Sequence, residues 1–222
     1  MARARLTLHA LAAVAALATA APALADEPKH SPDPQDQALA RNAVVRLSDF
    51  APGSGWTGGP RKPGGPDRSG CKLRLKQSDL VETGDAESSF MYRIPIVQVF
   101  SDATVYRTER MARLSWERAR PGLLGYLRCL SQRSLGEGVK VVSVKPMSFP
   151  RVGSYGSAYE TVFDLTSAGE TLRMVIHVEV FGSGRTLMLL MQFAPYASAE
   201  AAKAGEARLA ALMTARLRAL VA

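Results

Sequence analysis

From residue 139 the hydrophobic pattern becomes period two, which fits strands rather than helices. Residues 139–145, 158–165, 171–181 and 186–193 read as four strands separated by turn-rich breaks. In the second, Tyr159, Phe163 and Leu165 share a face; in the third, Leu172, Met174, Ile176, Val178 and Val180 do, with polar groups opposite. The last, TLMLLMQF, is apolar on both faces and belongs at the centre of a sheet, while alternation in its neighbours predicts an antiparallel sheet with one wet face. Register follows from the same pattern. Setting Leu165 against Leu172 places Asp164 opposite Arg173, Val162 opposite Val175, and Glu160 opposite His177. A slip of one residue would turn the polar set inward.

The remaining elements surround that sheet. Residues 198–220 form an amphipathic helix with Leu209, Leu212, Met213, Leu217 and Leu220 at helical spacing. Upstream, residues 37–47 read as a short helix, and 51–70 as a long irregular loop crowded with glycine and proline around Trp56. Residues 88–100 read as a strand; Pro95 removes a backbone donor and places it at an edge or a bulge. Asp102 then caps a helix running to Arg118, and Pro121 starts a second one over 122–134, with Leu123, Leu127 and Leu130 on one side. The expected fold is α+β, an antiparallel sheet flanked by helices, in one domain spanning 37–222.

The first 25 residues carry a different signal. Arg3 and Arg5 precede a small apolar run over 10–21, and Ala23-Leu24-Ala25 stands just before Asp26-Glu27. This is the pattern of a secretory signal peptide cleaved after Ala25. The run falls well short of the roughly 20 residues a membrane-spanning helix needs. Removing 25 of the 222 residues leaves 197, enough for one domain with a substantial core. Residues 26–36, polar and proline-rich, read as a flexible leader. No cysteine at the cleavage site offers a lipid anchor, and no later stretch is long enough to span a bilayer. The expected location is extracytoplasmic: secreted, periplasmic or within the cell-envelope space. There an even cysteine count reads as a disulfide between Cys71 and Cys129.

Charge narrows the partners. The formal net charge of +8 falls to +6 once Arg3 and Arg5 leave with the signal. Arginines concentrate over 107–133, and Arg107, Arg110, Arg113 and Arg118 form a candidate anion-binding set suited to acidic cell-envelope polymers or lipid headgroups. The plainer alternative is a solvated helix face. Basic residues without interleaved stacking aromatics, in an exported chain, argue against nucleic acid.

Motifs for chemistry are sparse. Gly53-Ser54-Gly55-Trp56-Thr57-Gly58 matches G-x-G-x-x-G, yet prolines surround it and no helix follows to meet a pyrophosphate. No phosphate-binding loop and no G-x-S-x-G elbow occur. After the signal only His30 and His177 remain, and with two distant cysteines they make no recognisable metal-ligand set. The acidic stretch SDLVETGDAESS fits neither a calcium loop nor a glycosidase pair and reads as a solvated loop. Glu160, Asp164, Arg173 and His177 form a candidate polar sheet face. Within it His177 beside Glu160 is either a surface histidine paired with a carboxylate or the base of a hydrolase.

Several phrases carry a family likeness: LSDFAPGSGW (47–56), the lone cysteine soon after it, SDLVETGDAESSFMY (78–92), a helix ending in LRCL (127–130), and FPRVGSYGSAYE (149–160). In this order they resemble secreted actinobacterial PsbP-like proteins and, more distantly, the extracellular sensor domain of mycobacterial receptor serine/threonine kinases. The resemblance implies an α/β/α sandwich and a sensing or accessory binding role. The sensor domains are expected to hold two disulfides; this chain can form one, and it has no kinase or membrane segment. The reading is therefore an exported, non-enzymatic binding or sensor-like domain for an unknown ligand or protein partner, without a cofactor. The alternatives are a hydrolase using Glu160 and His177, or a polymer binder using the 107–133 arginines.

Overall fold

Asp164 faces Arg173 across a long hairpin, and the guanidinium donates to both carboxylate oxygens at 2.8 and 3.0 Å. Leu165 stands opposite Leu172, Val162 opposite Val175 and Glu160 opposite His177, the register that alternation predicts. The computed structural model describes residues 23–24, 27–62, 71–73, 75–133, 138–167 and 169–221. In chain order the strands are β1 (Ala23–Leu24), β2 (Lys29–His30), β3 (Thr57–Arg61), β4 (Lys72–Leu73), β5 (Val81–Tyr92), β6 (Val97–Tyr106), β7 (Val139–Pro146), β8 (Tyr155–Ser167), β9 (Glu170–Ser183) and β10 (Thr186–Pro195). The helices are α1 (Pro34–Ala43), α2 (Glu109–Arg133) and α3 (Ala199–Val221).

Eight strands form one sheet in the order β2-β5-β6-β10-β9-β8-β7, with β3 also paired to β5. Only β2 runs parallel to its neighbour. The doubly apolar β10 is central, as its composition requires. Leu123, Tyr126 and Leu130 of α2 pack on Tyr159, Phe163, Ile176, Val178 and Phe193. On the other face Ala40 and Ala43 of α1 join Leu209, Met213 and Leu217 of α3 over Phe90, Val99, Met188 and Leu190. The architecture is α+β: a mostly antiparallel open sheet between helical layers. Helices cover both faces over the centre of the sheet, and the expected wet face is left toward the β7–β9 end, where Asp164 and Arg173 pair. No helix among the described residues is long and apolar enough to cross a membrane.

The amino-terminal half departs from expectation in several places. The expected signal peptide and its cleavage point lie outside the described residues, apart from Ala23–Leu24, which pair with Lys72–Leu73. The chain is tied to the sheet from Lys29, whose amide donates to Leu80 O at 3.0 Å, and so it is anchored where a flexible leader was expected. The Asp33 side chain caps α1 by accepting from the Gln35 and Asp36 amides, with Pro34 starting the helix, so α1 begins and ends earlier than 37–47. Part of the 51–70 loop is an edge strand, β3, and Trp56 just before it stacks on Phe50 at 4.2 Å between ring centres. The acidic stretch, read as a loop, is most of β5; and Asp102, read as a cap, lies in mid-β6. Pro95 occupies the turn between these two strands rather than a strand interior.

Finally, the two helices expected around Pro121 are one. Ala112 and Ser115 before the proline, and Leu123, Tyr126 and Leu130 after it, are all buried on the same sheet face. That burial outweighs the roughly 3 kcal/mol helix-propensity cost of an internal proline. Helix α2 carries Cys129, joined to Cys71 as the cysteine count predicts.

Putting Asp102 in a strand has an energetic consequence. It faces Glu87 across β5–β6, and its carboxyl is pushed up to about 8, first by burial and then by the charges of Glu87, Glu82 and Asp85. A carboxyl whose folded value is raised gives stability that is full below its unfolded value near 4 and lost progressively up to about pH 8. Asp102→Asn removes that dependence. Urea unfolding at pH 5 and pH 9 should show the variant gaining on the order of 2 kcal/mol over the natural protein at the higher pH and little at the lower. Equal differences at both values would show that Asp102 is ionised in the fold.

Candidate functional site

Strand β9 carries two polar side chains on its α3-facing side, His177 and Glu179, within an otherwise apolar run. Residues two apart on a strand share a face, so both lie under α3. Glu160 on β8 and Gln192 on β10 flank His177. From above, α3 inserts Glu206 into its own apolar stripe of Ala202, Leu209, Ala210 and Met213. His177, Glu179 and Glu206 are 1%, 1% and 0% exposed. His177 Nδ1 lies 2.8 Å from Glu206 Oε2, while Nε2 stands 3.6 Å from Glu160 Oε2, beyond hydrogen-bond reach. Glu160 instead pairs with Lys145 at 3.0 Å.

Burial dominates the electrostatics here. It lowers the proton affinity of His177 and raises that of Glu179 and Glu206, and the Glu206 charge lifts Glu179 further. Neither oxygen of Glu179, nor Oε1 of Glu206, has a hydrogen-bond partner among the described residues.

Beside this cluster lies a cavity of about 370 Å³, within the range of small-molecule sites. Strand β7 ends at Pro146 and β8 begins at Tyr155, and residues 147–154 bulge away between a bond from Met147 N to Ala158 O and one from Ser154 N to Gly182 O, each 2.8 Å. Phe149 and Val152 of this loop, Trp116 of α2, Tyr155, Phe181 and Glu179 line the space. The Tyr155 ring lies across Gly182, where a side chain would push the ring aside. Trp116 packs on Tyr155 with ring centres 5.0 Å apart and donates its indole N–H to Ser157 Oγ at 3.1 Å. Arg113 stands over Tyr155 at 5.3 Å and Arg120 over Trp116 at 5.0 Å. Burial pushes the Tyr155 hydroxyl up to about 12, and its oxygen has no partner among the described residues.

The four polar residues expected on one sheet face share it and divide only in burial. Glu160 and His177 come together beneath α3, with His177 buried where a surface histidine was expected. Asp164 and Arg173 form an exposed pair further along the hairpin. The arginine set divides too. Arg118 grips both oxygens of Asp79, at 2.7 and 2.9 Å, and bonds to Lys76 O, whereas Arg107, Arg110 and Arg113 are exposed near the start of α2. Sequence reasoning missed Glu179, Glu206 and Trp116. The available signal was polar residues at i and i+2 in the VIHVEV run.

No protein-family model matches the chain, and no curated protein matches it. Among solved structures it is similar to LpqN, involved in cell envelope biogenesis of Mycobacterium tuberculosis, with 12% identity over 72% of this chain and 91% of that one and a TM-score of 0.30. The expected kinship with secreted PsbP-like proteins thus meets a distant structural likeness and no family assignment, and no residue role is carried across.

Proposed function

We propose that this is an extracytoplasmic, non-enzymatic binding domain whose cavity takes a small organic anion with an apolar or aromatic body. The cavity carries the reading: its walls are mostly aromatic and aliphatic, Arg151 lines it opposite one buried acid, Glu179, Arg113 stands over Tyr155, and the buried Tyr155 hydroxyl has no partner among the described residues. Apolar walls with a few convergent polar groups are the composition of ligand pockets. The disulfide supports an oxidising compartment. Against the hydrolase reading stand the 3.6 Å gap between His177 and Glu160 and the absence of His177 from the cavity lining.

Two probes of similar shape separate charge from hydrophobicity: 8-anilinonaphthalene-1-sulfonate, an anion, and N-phenyl-1-naphthylamine, its neutral counterpart. The folded protein should bind the sulfonate saturably and more tightly than the amine. Arg113→Ala should weaken the sulfonate about tenfold, or about 1.4 kcal/mol, with little effect on the amine. Trp116→Ala should weaken both. Absence of saturable binding, or equal binding of both probes unaffected by Arg113→Ala, would reject the anion site.

A further inference from the structure

We infer that His177, Glu179 and Glu206 form a binding site for one divalent first-row metal cation of the zinc type. One ligand atom from each lies within 4.8 Å of the others, and all three residues are buried. A tetrahedral zinc with bonds near 2.0–2.2 Å places its ligand atoms roughly 3.3–3.5 Å apart. His177 Nδ1 and Glu206 Oε2, 2.8 Å apart across a hydrogen bond, would open by about half an ångström and release the shared proton to solvent, and the Glu179 carboxylate would draw in.

The independent observation is what surrounds the carboxylates. Both oxygens of Glu179 and Oε1 of Glu206 are buried without a hydrogen-bond partner among the described residues, a rare and costly condition for a polar side chain. The nearby Lys145, on the Glu160 side of His177, is already paired with Glu160. Lys203 on α3 acts on Glu206 and His177 through its charge, without an ion pair to either. A cation held among the three would give each unpartnered oxygen an electrostatic partner.

The far side of the ring fits the same reading. A metal-bound histidine is commonly oriented by a carboxylate at its other nitrogen; Glu160 stands on that side of His177 and would have to close from 3.6 Å to hydrogen-bond distance to play that part. One imidazole with two carboxylates suits zinc or a similar ion. Calcium takes six to eight oxygens, and copper(I) prefers sulfur, which the disulfide-bonded cysteines do not offer. Glu179 also borders the cavity, so an ion held here would lie beside the ligand space.

The test uses the purified whole protein, stripped with a chelator and then titrated with zinc chloride by calorimetry, with magnesium and calcium as controls. Uptake of one equivalent of zinc, a higher melting temperature, and an X-ray absorption spectrum showing a nitrogen/oxygen shell with imidazole and no sulfur are expected. Glu179→Gln and Glu206→Gln should each weaken zinc at least tenfold while circular dichroism stays native. If the natural protein takes up less than a tenth of an equivalent, the three residues are only a proton-sharing cluster and the inference fails. Zinc uptake undiminished in both folded variants would place the ion at a surface site, His30 included, and also overturn it.

Discussion

Replacing Cys129 with serine lowers the free energy of unfolding by about 4 kcal/mol, the largest single-residue effect expected in this fold. The bridge spans 58 positions, and the enclosed chain holds β5, β6 and most of α2. Cutting the link returns to the unfolded chain the entropy of a long open loop. It also loosens the folded state: Cys71, Leu73 and Leu75 are buried against Leu123, Tyr126 and Leu130, and the bridge is the covalent hold on that contact. Urea unfolding of the variant, and of the natural protein with and without reductant, measures both contributions. The reduced natural protein and the variant should agree within about 1 kcal/mol. A loss below 1 kcal/mol for the variant would mean that α2 holds the segment without the bridge.

The hairpin of β8 and β9 was legible because a one-residue slip would expose Phe163 and Ile176 and bury Asp164 and Arg173. Nothing comparable protects β5 from being misread. Its helix-facing side presents Gly84, Ala86 and Ser88, small residues that propensity assigns to loops. They are small because α1 comes close: a Cβ on Gly84 would stand 2.4 Å from the Asp36 carbonyl oxygen. Ser88 Oγ donates to Val45 O and shares a hydrogen bond with Ser101 Oγ, each at 2.8 Å, so its polarity is spent inside the protein. Asp102 misled because an aspartate before a helical period is also the commonest cap, and the true strand end lies four residues later. The site was half visible for a similar reason. His177 and Glu160 fall opposite one another by register alone. Glu206 shares its helix with Glu200, Lys203 and Arg208, so it reads as part of a solvated face until α3 is laid on β9. Only tertiary packing separates a buried glutamate from its exposed neighbours.

The same docking of helix on sheet makes Arg185 the second position where a large effect is expected. It sits in the turn between β9 and β10 and reaches Asp36 in the first turn of α1, donating to the two carboxylate oxygens at 2.7 and 3.0 Å and to the Tyr106 carbonyl at 3.2 Å. Asp36 is 7% exposed, whereas the Arg185 side chain is 41% exposed, so solvent screens one end of the pair. Arg185→Met keeps the aliphatic stem and strands the carboxylate. The expected cost is about 2–3 kcal/mol, below the 3–5 of a fully buried pair. The hydrogen bonds from Arg185 hold the Asp36 carboxyl below its ordinary value, against the opposing effect of burial. A depressed folded value gives stability that is present above the ordinary carboxylate range and lost as pH falls through the folded value. The gap between natural and variant proteins should therefore be full at neutral pH and close progressively in acid, beginning at the raised value of the stranded carboxyl in the variant and ending at the depressed value in the natural protein. Adding Asp36→Asn to Arg185→Met should recover part of the loss, because the stranded charge is gone. A gap that persists unchanged at pH 2, or a double variant no better than the single, would show that Arg185 acts through packing rather than through its charge.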